Sequence, residues 1–310
     1  MNKFNRFLSF SVLCVFSSYG FAALFYDVSN ESLRLQSSGS VTKYRLVGAD
    51  MPSLKALLHN VPTQASRGVA PILELPMPDG STRRFSLERN NTMSPDFAKA
   101  YPDIMTFDGY DVDNPEDLVK LDITPLGFHA MVMTPTQGTI YMDPMSLKET
   151  NYYKVYFKND VQPMKGMVCK VDNKNQAQPT MSYKPATSAK FATCGLRTYK
   201  LALAATAQYS AFFGGTQANA RAAMVTLMNR VNGVYQKDLG VNMVLLNVPS
   251  LIYTNPNTQP YSSGDAEAML TQNQTTIDKA AAKSPGFTYN IGHVVDTGAG
   301  GIAALGVVCS

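Results

Sequence analysis

The sequence predicts an α+β chain in two parts joined by a linker. A β-rich module spans residues 23–170, a polar linker 171–193, and the first half of a three-layer α/β unit 194–310. Three observations predict it. Before residue 170, short apolar runs alternate with Pro- and Gly-containing turns. After Leu196, strand-like and helix-like runs take turns. Between them, VDNKNQAQPTMSYKPATSAK is polar, contains Pro and has no apolar period.

The first 22 residues read as an address. Lys3 and Arg6 precede an apolar run, Phe7–Phe16, and Gly20-Phe21-Ala22 fits a cleavage site before Ala23. The run is too short to span a bilayer comfortably. The expectation is an exported, secreted or periplasmic protein with no membrane partner once the signal peptide is removed. Charged residues make up 16% of the chain and the net charge is +4. No basic stripe or cluster stands out, so a nucleic-acid partner has no electrostatic support and none is expected. Cys14 leaves with the leader, and Cys169, Cys194 and Cys309 remain. An odd count in an exported chain leaves one thiol free, paired between chains, or without its partner.

Within the module, Ile72–Leu75 and Arg84–Leu87 flank Pro76-Met77-Pro78-Asp79-Gly80-Ser81, a hairpin loop by its Pro and Asp-Gly content. Leu118–Ile123 and Phe128–Met133 form a second hairpin around Thr124-Pro125-Leu126-Gly127, and Thr139–Met142 and Tyr152–Phe157 continue the meander. Ser94–Tyr101 predicts a short helix with Ser94 as N-cap and Pro95 at its first position. His59 and His129 stand alone, and His129, in mid-strand, reads as a packing residue.

In the second unit Thr198–Thr206 reads as a buried strand. Gly214-Gly215-Thr216 opens a helix that ends near Leu239 at Gly240. Ala220, Met224, Leu227, Val231 and Tyr235 recur at three- and four-residue steps and predict one apolar face, its Met residues serving as core. Val241–Val248 and Ser250–Tyr253 supply an apolar strand. Asp265–Ala282 is a second helix, stopped by Ser284-Pro285-Gly286. Ile291–Val295 and Ile302–Val308 then flank Gly298-Ala299-Gly300-Gly301, which predicts a β pair with a free backbone at its turn.

Three motifs in the last stretch invite chemistry. Asp296-Thr297-Gly298 mimics an aspartic-peptidase signature, but that mechanism needs a second Asp sharing a proton, and Gly300 falls where the signature carries a larger residue. Gly298-Ala299-Gly300-Gly301-Ile302-Ala303 mimics a dinucleotide fingerprint, but Ile302–Val308 is strand-like where a helix is required. His293 alone cannot make a zinc site and reads as a hydrogen-bonded structural residue. The 310 residues contain no His-Glu-x-x-His. They offer no catalytic and no metal-ligand residues.

The second unit nevertheless resembles a known family. Leu196–Thr206, Met228–Tyr235, and Tyr289–Val294 followed by the Gly-rich turn and Gly306-Val307-Val308-Cys309 look like segments of reprolysin-like (M12B-type) zinc metallopeptidases of the metzincin clan. LPMPDGSTRRF and TPLGFHAMV look like the N-terminal pro-region of bacterial secreted members. The resemblance implies a secreted zinc metalloendopeptidase precursor acting on proteins or peptides. In that family zinc is held by a helix bearing His-Glu-x-x-His-x-x-Gly-x-x-His, placed after the Cys-ending strand. The expectation is therefore a chain truncated before that helix, inactive and without bound zinc as it stands. Cys309 then awaits a partner in the missing half. Cys169 and Cys194 pair with each other across the linker, or Cys169 is a thiolate cap on the zinc of the complete enzyme. The alternative is a non-catalytic exported binding or inhibitory protein built from pro-region plus half-domain.

Overall fold

The computed structural model describes residues 23–29, 40–63, 70–162, 169–172, 195–298 and 300–304. The expected signal peptide, Cys194 and Cys309 lie outside the described residues.

The module is built on one nine-stranded antiparallel sheet. Its strands are β1 (Phe25–Asp27), β2 (Arg45–Ala49), β3 (Ile72–Pro76), β4 (Thr82–Arg89), β5 (Met105–Asp111), β6 (Leu118–Thr124), β7 (Gly127–Thr134), β8 (Gly138–Ser146) and β9 (Glu149–Phe157). From β3 to β9 each strand pairs with the next, and β2 and then β1 add on beyond β9. Both expected hairpins form, with Pro76 opposite Thr82 and Thr124 opposite Gly127. Alternation gives the sheet two unlike faces. Phe85, Phe107, Leu121, Phe128 and Tyr153 lie in one fully buried cluster, closed by Leu54 and Leu58 of helix α1 (Met51–His59). The intervening positions (Asp108, Lys120, Asp122, His129, Asp143) point the other way and are polar.

The second unit carries a three-stranded parallel sheet in the order β12-β11-β13, with β11 (Arg197–Ala205) between β12 (Val241–Leu245) and β13 (Ile291–Val295). Leu201, Leu203 and Ala205 cluster with Ala220, Met224 and Met228 of the long helix α4 (Gln217–Leu239). Ala202 and Ala204 meet Met269 and Ile277 of α5 (Ala266–Lys283) on the opposite face. Burial on both faces explains why β11 reads as an uninterrupted apolar run. The helix ends follow their caps. Thr216 Oγ1 accepts from the Asn219 N–H at 3.1 Å, and Asp265 Oδ1 from the Ala268 N–H at 3.0 Å. Gly240 closes α4 in the left-handed conformation, φ 63°, with its N–H on the Tyr235 carbonyl. Two shorter helices complete the set, α2 (Pro95–Ala100) and α3 (Ala207–Phe212).

Four sequence expectations change. The closing strands do not pair with each other. β13 runs parallel to β11, whereas β14 (Gly301–Ala304) runs parallel to β10 (Cys169–Asp172), Cys169 opposite Gly301. The reason is topological: the α5 crossover delivers β13 to the free side of β11, and the glycines carry the chain out of that sheet. The strand after α4 is also shorter than Val241–Val248, because Pro249 opens a 3-10 turn, Pro249–Leu251, before Ile252 rejoins β11 at Ala205. Ser94 precedes α2 as expected, but its side chain makes no cap bond. Lastly, Leu227 and Tyr235 are exposed, while Arg221, Thr226, Asn229, Asn232 and Gly233 are buried. The helix is sandwiched between the parallel sheet and the module, so it buries two faces, and the second is polar.

Candidate functional site

The polar side of α4 is where the two units meet. Arg230 Nη2 donates to Asp143 Oδ1 at 2.5 Å, and the Tyr156 hydroxyl donates to Asp143 Oδ2 at 2.6 Å. Burial alone would raise the Asp143 pKa. The Arg230 charge, His129 and these hydrogen bonds outweigh it and hold the carboxyl below its usual range. One turn earlier, Thr226 Oγ1 donates to Asp122 Oδ1 at 2.6 Å, and His129 Nδ1 lies 3.0 Å from the same oxygen. His129 is thus a packing residue as expected, although it packs by pairing with Asp122. One turn later, Gly233 lets the helix close on the sheet: a Cβ there would stand 2.7 Å from Met131 Cε and 2.9 Å from Lys120 Cγ.

Below that contact Lys120 Nζ donates to Asp108 Oδ1 and Gln236 Oε1, each at 2.5 Å. Burial pulls the Lys120 pKa down and Asp108 opposes the pull. A cavity of about 460 Å³ opens here between β4, β5, β6 and the end of α4, with Glu88, Asp108, Lys120 and Gln236 in its wall. With two acceptors on its ammonium, Lys120 is a satisfied cation, and nothing in this wall forms a nucleophile–base pair.

The carboxyl ends of β11 and β13 form the second place where polar groups converge, the position at which open parallel sheets place ligands. Asp296 fills it. Its carboxylate accepts from Thr206 Oγ1 (2.6 Å), Ser263 Oγ (2.7 Å) and the Gly264 N–H (2.8 Å). Burial would raise its pKa, but these donors and the Thr297 N–H bring it below the usual value. An ionised carboxylate saturated with donors ties two strand ends and the loop before α5 together. It is the opposite of a proton-sharing catalytic pair.

The remaining sequence candidates do not gather. His59 ends α1, His129 sits on β7 and His293 on β13. His293 is exposed and its side chain has no hydrogen-bond partner among the described residues, which corrects the expectation of a hydrogen-bonded structural residue. Among the described residues β13 pairs only with β11, and the surrounding chain still pulls the imidazole pKa down by desolvation. Among the described residues no three His, Cys, Asp or Glu side chains are grouped to hold a metal ion. The donor set of these residues does not fit a catalytic zinc, which takes three protein ligands and an open position. Cys169 lies in β10, in register with the last described strand. No described helix is long and apolar enough to cross a membrane. Asn90 and Asn273, each the first residue of an Asn-x-Thr triplet, are engaged in bonds: Asn90 Nδ2 reaches Asp108 and Asn229, and Asn273 Oδ1 accepts from the Tyr261 hydroxyl.

No curated protein matches the chain. Residues 221–310 match the family model described as metallo-peptidase family M12B, reprolysin-like. The matched stretch takes in most of α4, β12, α5, β13 and β14, and leaves out β11, the central strand of the three-stranded parallel sheet. In this part the chain is similar to reprolysin-like (M12B) metallopeptidases.

Proposed function

We propose that the chain is the exported precursor part of a reprolysin-like zinc metalloendopeptidase, with the nine-stranded module as its pro-region. The observation that carries this reading is the family match over residues 221–310. It coincides with a parallel α/β unit against whose long helix the module docks. In this reading residues 1–22 direct export and are removed, and the substrates are proteins or peptides. The zinc ligands and general base are supplied by residues outside these 310, since no His-Glu-x-x-His occurs within them. No hydrolytic step is assigned to any side chain described above. What this chain supplies is scaffold: a sheet with ordered strand ends, a helix held between two sheets, and a module covering that helix.

The purified 310-residue chain, supplied with zinc and an unfolded protein substrate, is expected to show no hydrolysis that a chelator abolishes. Chelator-sensitive cleavage by the purified chain would overturn the assignment of the zinc ligands to residues outside it.

A further inference from the structure

The outer edge of β12 is not bare. After β4, residues Asn90–Ser94 leave the module sheet and run parallel to β12, Met93 beside Leu245. The Leu245 N–H donates to the Thr92 carbonyl at 2.8 Å and the Ser94 N–H to the Leu245 carbonyl at 3.0 Å. The segment therefore adds one parallel bridge to the edge of the three-stranded sheet, contributed by the other unit.

Three buried asparagines of the second unit read its side chains. Asn229 Oδ1 accepts from Asn90 Nδ2 at 2.9 Å and Thr92 Oγ1 at 3.2 Å. Asn232 Nδ2 reaches Thr92 Oγ1 at 3.5 Å, and Asn242 Nδ2 donates to Asn91 Oδ1 at 3.1 Å. All three are 0% exposed, and Thr92 is 1% exposed. The same asparagines are anchored on their own unit and on the sheet: Asn232 is bonded in both directions to the Met243 backbone, and Asn242 Oδ1 accepts from Gln236. They are preorganised, and removal of the segment leaves amide groups facing an empty edge. Main-chain bonds along an edge give affinity and side-chain readers give selectivity, which is how sheets bind extended peptides. A vacated edge would also be an aggregation template, and unsatisfied buried amides are costly.

We propose that the β12 edge with Asn229, Asn232 and Asn242 is a strand-addition site for an extended Asn-Asn-Thr-Met-Ser segment. Its occupation keeps the module bound to the α/β unit after the connecting chain is cut. The site is independent of whether the second unit hydrolyses peptides.

The test uses the full chain with a specific protease site placed within residues 173–194. It is cut to completion with a reductant present, so that no disulfide between Cys169 and Cys194 holds the pieces. The fragments are expected to co-elute in gel filtration at micromolar concentration. Thr92→Val keeps the side-chain volume and deletes the hydroxyl shared by Asn229 and Asn232; it should weaken association about ten-fold on dilution. Arg84→Ala, on an exposed module pair with Asp113, should change nothing. Wild-type fragments that separate while each keeps its far-UV circular dichroism would overturn the proposal. So would Thr92→Val fragments that associate as tightly as the parent. If Thr92→Val does not fold before cutting, Asn91→Ala, at an exposed position, decides by the same comparison.

Discussion

Asn229→Ala is the sharpest probe of how the two units are joined. The side chain is completely buried on α4 and makes three bonds to the module: to Asn90 at 2.9 Å, to Thr92 at 3.2 Å, and from Nδ2 to the Leu121 carbonyl at 2.8 Å. Alanine removes all three at about 1 kcal/mol each. It recovers about 0.6 kcal/mol because alanine favours a helix interior more than asparagine does. The expected net loss is about 2–3 kcal/mol, read as a lower midpoint in urea unfolding of the full chain. Asn229→Asp keeps the shape but replaces the donor to Leu121 and brings a charge toward Asp108, so it should cost more than alanine. An unchanged midpoint for Asn229→Ala would refute the claim that the buried amides join the units.

The acid response follows from two carboxyls. Asp143 and Asp296 are both held below the usual range near 4, so the unfolded chain binds protons first as the pH falls. Their stabilisation is complete above about pH 5 and is lost as the pH drops through and below about 4. A pH series of thermal melts should show that loss, and Asp296→Asn should lower stability near neutrality while flattening the acid limb. Gly233→Val tests the close approach of α4: Met131 Cε and Lys120 Cγ lie within 3 Å of the added Cβ, and the larger side chain should lower stability by about 1–3 kcal/mol. A melting temperature equal to the parent's would contradict that packing.

What could be read from the sequence was local. The Pro76–Ser81 loop, the helix opening at Thr216 and the Gly240 stop are written in a few adjacent residues, and the structure realises each; Asp265, read as the first residue of its helix, is instead its N-cap. Helix α1 carried a readable signal in Asp50-Met51-Pro52-Ser53, where the Asp50 carboxylate caps the Ser53 N–H and Oγ, yet it was not anticipated. α3 is only six residues long and presents no period to detect.

The junction was invisible for a different reason. Thr226, Asn229, Arg230 and Gln236 at helical spacing look like a solvated face. Only partners more than 80 residues away, Asp122, Asn90, Asp143 and Lys120, turn them into a buried one. The pairing of β10 with β14 joins residues 169 and 301, a contact that no local pattern encodes. The Asp-Thr-Gly and glycine-rich motifs were legible as motifs and misleading as chemistry. The carboxylate is saturated by Thr206, Ser263 and Gly264 before any substrate could use it.

The proposal that residues 221–310 are scaffold of a zinc peptidase, with the metal-binding helix supplied from outside the 310 residues, is tested most directly at the nucleotide level. Reading the coding sequence beyond the Ser310 codon in all three frames should reveal His-Glu-x-x-His-x-x-Gly-x-x-His within a few dozen codons. The absence of that motif in every frame would contradict the account.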